Sequence, residues 1–93
     1  MIRSFRDKIT EAVFNGECPK GFPADLQKVA RRKLRMIDAA AKLNDLKVPP
    51  GNKLHPLDKD RKGQHAIWVN NRCRVCFEWS DDGPTNVEIT DYH

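Results

Sequence analysis

Near residue 50 the apolar positions of this chain change period, from steps of three and four to steps of two. Before that point the pattern is helical. Ile9, Ala12 and Val13 recur at i, i+3 and i+4, predicting a short helix capped by Ser4 or Asp7 and ended by Asn15-Gly16. Met1 to Phe5 alternates and predicts a short strand. Cys18-Pro19-Lys20-Gly21-Phe22-Pro23 is loop on its Pro and Gly content. A longer helix then starts at Pro23 or Ala24, with Asp25 placing a favourable charge in its first turn. Its apolar stripe is Leu26, Val29, Ala30, Leu34, Ile37 and Ala41. The opposite side carries Lys28, Arg31, Arg32, Arg35 and Lys42, and the helix ends before Val48-Pro49-Pro50-Gly51.

After Gly51 the period is two. Residues 52–57 are a weak strand candidate and Gln64 to Val69 a better one. Asn70-Asn71 is a turn signal. Cys73, Val75, Phe77 and Trp79 then alternate with Arg74, Cys76 and Glu78. Asp81-Asp82-Gly83-Pro84 is a second turn, and Val87 and Ile89 mark a last strand. Turns this short require antiparallel pairing. A marginal isolated helix must lay its stripe on something. The expected fold class is therefore α+β: two N-terminal helices packed on one face of a mostly antiparallel sheet, meeting Val75, Phe77, Val87 and Ile89. The other sheet face carries Arg74 and is the natural place for a site.

Composition narrows the classes. Ninety-three residues make one domain, 1–93, with a single core. Charged residues are 32% and no apolar run approaches a membrane span, so a membrane protein is not expected. The opening residues carry charge without an apolar export segment, and three cysteines are an odd count. A cytoplasmic protein with reduced thiols is the expectation. The net charge is +4 and unevenly placed. Residues 1–44 hold ten Lys/Arg against five Asp/Glu, whereas residues 45–93 hold seven against eight. Any basic surface belongs to the N-terminal half. That permits a nucleic-acid partner without demanding one.

Candidate chemistry is sparse. No dinucleotide, P-loop, EF-hand or zincin fingerprint is present. Cys73-x-x-Cys76 invites a metal, but residues three apart on a strand face opposite sides and no second ligand pair is present. No metal or cofactor is expected. Cys18 reads as a loop thiol and His65 as incidental. His55, in Lys53-Leu54-His55-Pro56-Leu57, and the terminal Asp91-Tyr92-His93 stand out; the alternative for the tripeptide is a frayed polar end. Imidazole exchanges protons near neutrality. Arginine offers a fork of donors suited to phosphate. Two histidines with Tyr92, Asp91 and Arg74 would supply base, acid and phosphate clamp. RNA scission by its own 2′-hydroxyl needs that set and no metal.

These residues carry a resemblance. Met1-Ile2-Arg3-Ser4-Phe5, Leu54-His55-Pro56-Leu57, Asp60-Arg61-x-Gly63, Ile67-x-Val69, Arg74-Val75-x-Phe77 and Val87-x-Ile89-x-Asp91-Tyr92-His93 follow in order over nearly the whole chain. Together they resemble HigB-type toxins of the RelE superfamily, the toxin half of type II toxin–antitoxin systems. The resemblance implies a ribosome-dependent mRNA endonuclease acting at the A site, inhibiting translation. It implies catalytic roles for His55, Asp91, Tyr92, His93 and Arg74, and a basic role for Arg61. Its partners would be the ribosome, mRNA and a HigA-like helix-turn-helix antitoxin. The chain departs from the family pattern at Asp58, where members often have Lys, with Lys59 one residue later. It departs again at Cys73, where they often have Trp. The helix face Lys28, Arg31, Arg32 and Arg35 would grip ribosomal RNA phosphates or serve only as a solvated exterior. The competing function is a non-catalytic RNA- or protein-binding domain on the same scaffold.

Overall fold

In the computed structural model, which describes residues 1–91, helix α1 (Lys8–Phe14) and helix α2 (Ala24–Ala39) precede a four-stranded sheet of β1 (His55–Pro56), β2 (Gln64–Trp68), β3 (Cys73–Ser80) and β4 (Gly83–Asp91). Strand order is β1-β2-β3-β4 and every pairing is antiparallel. The α+β fold class is as expected. No helix among the described residues is long and apolar enough to cross a membrane.

Local chemistry sets the element ends. Asp7, not Ser4, caps α1: its carboxylate accepts from the Thr10 amide at 2.7 Å. Ser4 instead works on the sheet edge, where its Oγ accepts from the Asn86 amide and its carbonyl from the Val87 amide. The expected strand at Met1–Phe5 is reduced to one parallel bridge, Phe5 to Val87, although Arg3 and Arg6 also hydrogen-bond along β4. The segment thus covers an edge that would otherwise expose unpaired amides.

Helix α2 stops two residues short of Ala41. The Asp45 carboxylate accepts from the Ala41 and Lys42 amides, both at 3.0 Å, and draws the chain into a 3₁₀ turn at Leu43–Lys47. Ala41 is therefore exposed rather than part of the stripe. Buried Leu46 follows it in the core.

The core lies between α2 and one sheet face. Val13, Ala30, Leu34 and Ile37 meet Ile67, Val75, Phe77 and Val87, all fully buried, with Ile89 packed partly buried beside them. Two strand expectations need correction. The 52–57 candidate shrinks to His55–Pro56, because residues 50–52 form a 3₁₀ turn and Lys53 takes a left-handed backbone at φ 49°. The last strand starts at Gly83, because the hairpin loop is only Asp81-Asp82 between paired Ser80 and Gly83. Gly83-Pro84 therefore belongs to β4 and not to the turn, and Pro84 is buried there.

A bulge completes the register. Glu78 pairs with Thr85 but Cys76 pairs with Glu88, so Phe77 faces the two residues Asn86 and Val87. Asn86 absorbs the irregularity at φ 51°. Strict alternation from Thr85 would turn Val87 away from the core. The extra residue returns it to Phe77 and puts Glu88 on the open face.

Candidate active site

The register fixes which side chains share the sheet face away from the helices. In one row lie His55, Ala66, Cys76 and Glu88, each paired with the next. The adjacent row holds Trp68, Arg74 and Thr90. Sγ of Cys76 and Oγ1 of Thr90 are 3.1 Å apart across these rows. Ala66 and Cys76 are small and buried, so they form the low centre of a face bordered by larger polar groups.

Pairing with Ala66 places His55 on this face, and the loop before it sets its ring. Lys53 is left-handed, and its carbonyl accepts the His55 Nδ1–H at 2.7 Å. A carbonyl can only accept, so neutral His55 carries its proton on Nδ1 and its lone pair on Nε2. The loop is itself pinned from beneath. Asn52 is fully buried, donates to the Leu46 and Val48 carbonyls, and accepts from Lys33 Nζ at 2.6 Å. Burial, with Arg32 nearby, lowers the Lys33 pKa from its ordinary value. Neither Lys33 nor Asn52 was marked by the sequence pattern, since a buried lysine inside a basic run looks like one more exposed charge.

Arg74 shares the face. Its guanidinium lies 3.9 Å from the Trp68 ring centroid and donates to the Asn70 carbonyl at 2.6 Å. Two strand spacings and one two-residue step separate the Cα atoms of His55 and Arg74 by roughly 12 Å. The arginine side chain is long enough to span much of that gap.

Asp91 is placed differently. It pairs with Cys73, whose side chain is in the helix-side core, and it lines a groove with Pro23, Leu26 and Ile89. The Cys73 thiol pKa is raised, first by burial and then by the Asp91 carboxylate beside it. His55 and Arg74 are therefore together on the open face, and Asp91 stands at the end of β4 on the other. Tyr92 and His93 lie outside the described residues.

The other basic residues separate. Arg61 donates to Gln64 Oε1 and Glu88 Oε1, both at 3.0 Å, so part of its charge meets a carboxylate on the open face. Lys59 is exposed on the turn between β1 and β2, with left-handed backbone at φ 56°. Lys28, Arg31, Arg32 and Arg35 line a groove of about 280 Å³ with Gly16 and Gln27 on the helical layer. Within it Arg31 donates to the Phe14 carbonyl at 3.3 Å, and the Arg35 guanidinium lies 5.2 Å from the Phe14 ring centroid. The sheet lies between this groove and the open face.

Cys73 and Cys76 face opposite sides of β3, both buried. His65 stacks on Phe77 at 6.5 Å between centroids, on the core side. Trp68 was not singled out in the sequence. The Asn70-Asn71 turn sets it opposite Arg74, and that register is the signal that could have found it.

Residues 3–93 match the family model for HigB-like toxins, described as RelE-like toxins of the type II toxin–antitoxin system HigB. The chain is 34% identical over 90 residues to Toxin HigB-1 of Vibrio cholerae serotype O1, covering 96% of this chain and 95% of that protein. It is 33% identical over 94 residues to Endoribonuclease HigB of Proteus vulgaris, covering the whole of both. An uncharacterized protein of Haemophilus influenzae is 32% identical over 86 residues, 91% of this chain and 85% of the relative. The chain belongs to the HigB-like family of RelE-like toxins of type II toxin–antitoxin systems.

Proposed function

We propose that this chain is the toxin of a type II toxin–antitoxin pair and acts as an endoribonuclease on mRNA at the ribosomal A site. The observation that carries the reading is His55 on the same open face as Arg74, its imidazole held through Nδ1 by the Lys53 carbonyl. A relative over its full length is named an endoribonuclease, which supports the same chemistry here.

The proposed reaction needs no external nucleophile. A base takes the proton of the ribose 2′-hydroxyl, and the 2′-oxygen bonds to the adjacent phosphorus. The bond from phosphorus to the 5′-oxygen breaks, and an acid protonates that leaving oxygen. The products are a 2′,3′-cyclic phosphate and a 5′-hydroxyl end. Arg74 would stabilise the charge on the phosphorane, a contribution worth about 10²–10³ in rate. His55 would serve one proton-transfer role and Tyr92 and His93 the other, with Asp91, on the opposite face, acting through the two residues that follow it; each proton-transfer role is worth about 10²–10⁴. Arg61, joined to Glu88 on the face, and Lys59, exposed on the same turn, would contact the RNA strand. A HigA-like antitoxin with a helix-turn-helix is the proposed partner, since toxins of this class are paired with an inhibitor.

The test is mapping of 5′ ends in a translation extract, with and without ribosomes. Wild-type chain should cut within codons only when ribosomes are present, leaving 5′-hydroxyl ends. His55→Ala and Arg74→Ala should each reduce cutting by about 10²-fold or more. A bell-shaped pH profile should accompany two-group proton transfer. Absence of cuts by the wild type, or cuts that survive loss of His55, Tyr92 and His93 together, would leave the non-catalytic binding domain as the function.

A further inference from the structure

We propose that Lys53, held with Arg74 around the Trp68 ring, is a second phosphate-contacting residue for the RNA strand cut beside His55. This rests on the reading of the open face as an RNA-cleaving site and adds a residue to it. Lys53 precedes His55 by two residues and extends the row of Trp68, Arg74 and Thr90 beyond the end of β1. Its ammonium lies 3.9 Å from the Trp68 centroid, the same distance as the Arg74 guanidinium. Two cations attracted to one indole stand within about 8 Å of each other. Neighbouring phosphates of one RNA strand can then meet one cation each.

Three further observations point the same way. The base of Lys53 is fixed rather than loose: its amide donates to the Pro50 carbonyl, and the preceding Asn52 is clamped to α2 through Lys33. Lys53 is exposed, and among the described residues no carboxylate forms an ion pair with it, whereas Glu88 engages Arg61 on the same face. Its carbonyl also holds the His55 ring, so the charge and the base are set from one residue. Like charges this close repel, and the indole faces offset part of that. Phosphates bound at both cations remove the rest, so the pair is prepared for an RNA strand before it arrives.

The experiment measures binding of the full chain to a short 2′-O-methylated oligoribonucleotide over a range of salt. Methylation removes the attacking hydroxyl, so binding is read without cutting. Each phosphate neutralised on a single strand adds about 0.7 to the slope of log affinity against log salt. Lys53→Gln keeps the carbonyl that holds His55 and should lower the slope by about 0.7. Lys53→Arg should retain it. Trp68→Leu should lower it and Trp68→Phe should retain it. Equal slopes for wild type and Lys53→Gln, or no binding by the wild type, overturn the proposal. Failure of the wild type to cut mRNA in the translation extract overturns the RNase reading instead, and leaves the slope difference to be judged by itself.

Discussion

Asn52 is a single polar residue on which the candidate base depends. It is fully buried, and its amide satisfies two carbonyls and the Lys33 ammonium at once. Asn52→Ala strands all three, and a buried group left without its partner costs about 1–3 kcal/mol. Urea unfolding should show a loss of about 2–3 kcal/mol, toward the upper end because one stranded group is an ammonium. His65 is a residue of a different kind. Its Nδ1 is buried with no hydrogen-bond partner among the described residues, and burial first, then the nearby His55, lowers its pKa below 6.5. The folded chain thus binds this proton less readily than the unfolded chain. Stability falls as pH drops below about 6.5 toward the folded value, because the unfolded state takes the proton first. His65→Phe, which keeps the stack on Phe77, should flatten that part of a plot of urea midpoint against pH.

At the scale of elements, the β3–β4 hairpin and the segment before α1 depend on each other. Gly83 has φ +119°, and a Cβ there would sit 2.8 Å from the Met1 carbonyl oxygen. The clash is with backbone, which no rotamer change relieves. Gly83→Ala should push the first residues away from β4, breaking the Arg3 amide bond to the Pro84 carbonyl. Hydrogen exchange should then speed up at the Arg3 and Val87 amides, while Val75 in the middle of the sheet stays protected. Faster exchange spread over the whole sheet would contradict this local account. The sequence contained the pieces of this arrangement as alternating Met1–Phe5 and a turn at 81–84. The contact between them spans over eighty residues, and periodicity carries no information about such a pairing.

For the whole molecule, the sheet divides two charged surfaces. The groove lined by Lys28, Arg31, Arg32 and Arg35 is on the helical layer, and the face of His55 and Arg74 is on the other side. One RNA phosphate cannot touch both. On the proposed function, the first surface contacts the ribosome and the second contacts the message. Lys28→Glu with Arg32→Glu, both exposed, should weaken binding to ribosomes and reduce its salt dependence. The same double variant should leave the salt slope for the short methylated oligonucleotide unchanged. Equal weakening of both would mean that the helical surface acts through general attraction for RNA.

Periodicity along the chain was enough for the α2 stripe from Leu26 to Ile37, the antiparallel order of the last three strands and the opposite orientations of Cys73 and Cys76. These follow from side-chain period and turn length, which are local properties. The sequence also marked His55 by its residue type and Arg74 by its place on the polar side of an alternating strand, whereas their shared face came from strand register. Tertiary structure alone decided the rest. Lys33 turned inward because Asn52 was there to receive it, and α2 ended early because Asp45 took the next two amides. Val87 reached the core through a bulge, and Lys53 came to share the Trp68 ring with Arg74. Each of these depends on groups brought together by packing, where desolvation makes an unmet hydrogen bond or charge too costly to leave, and no count along the chain records that.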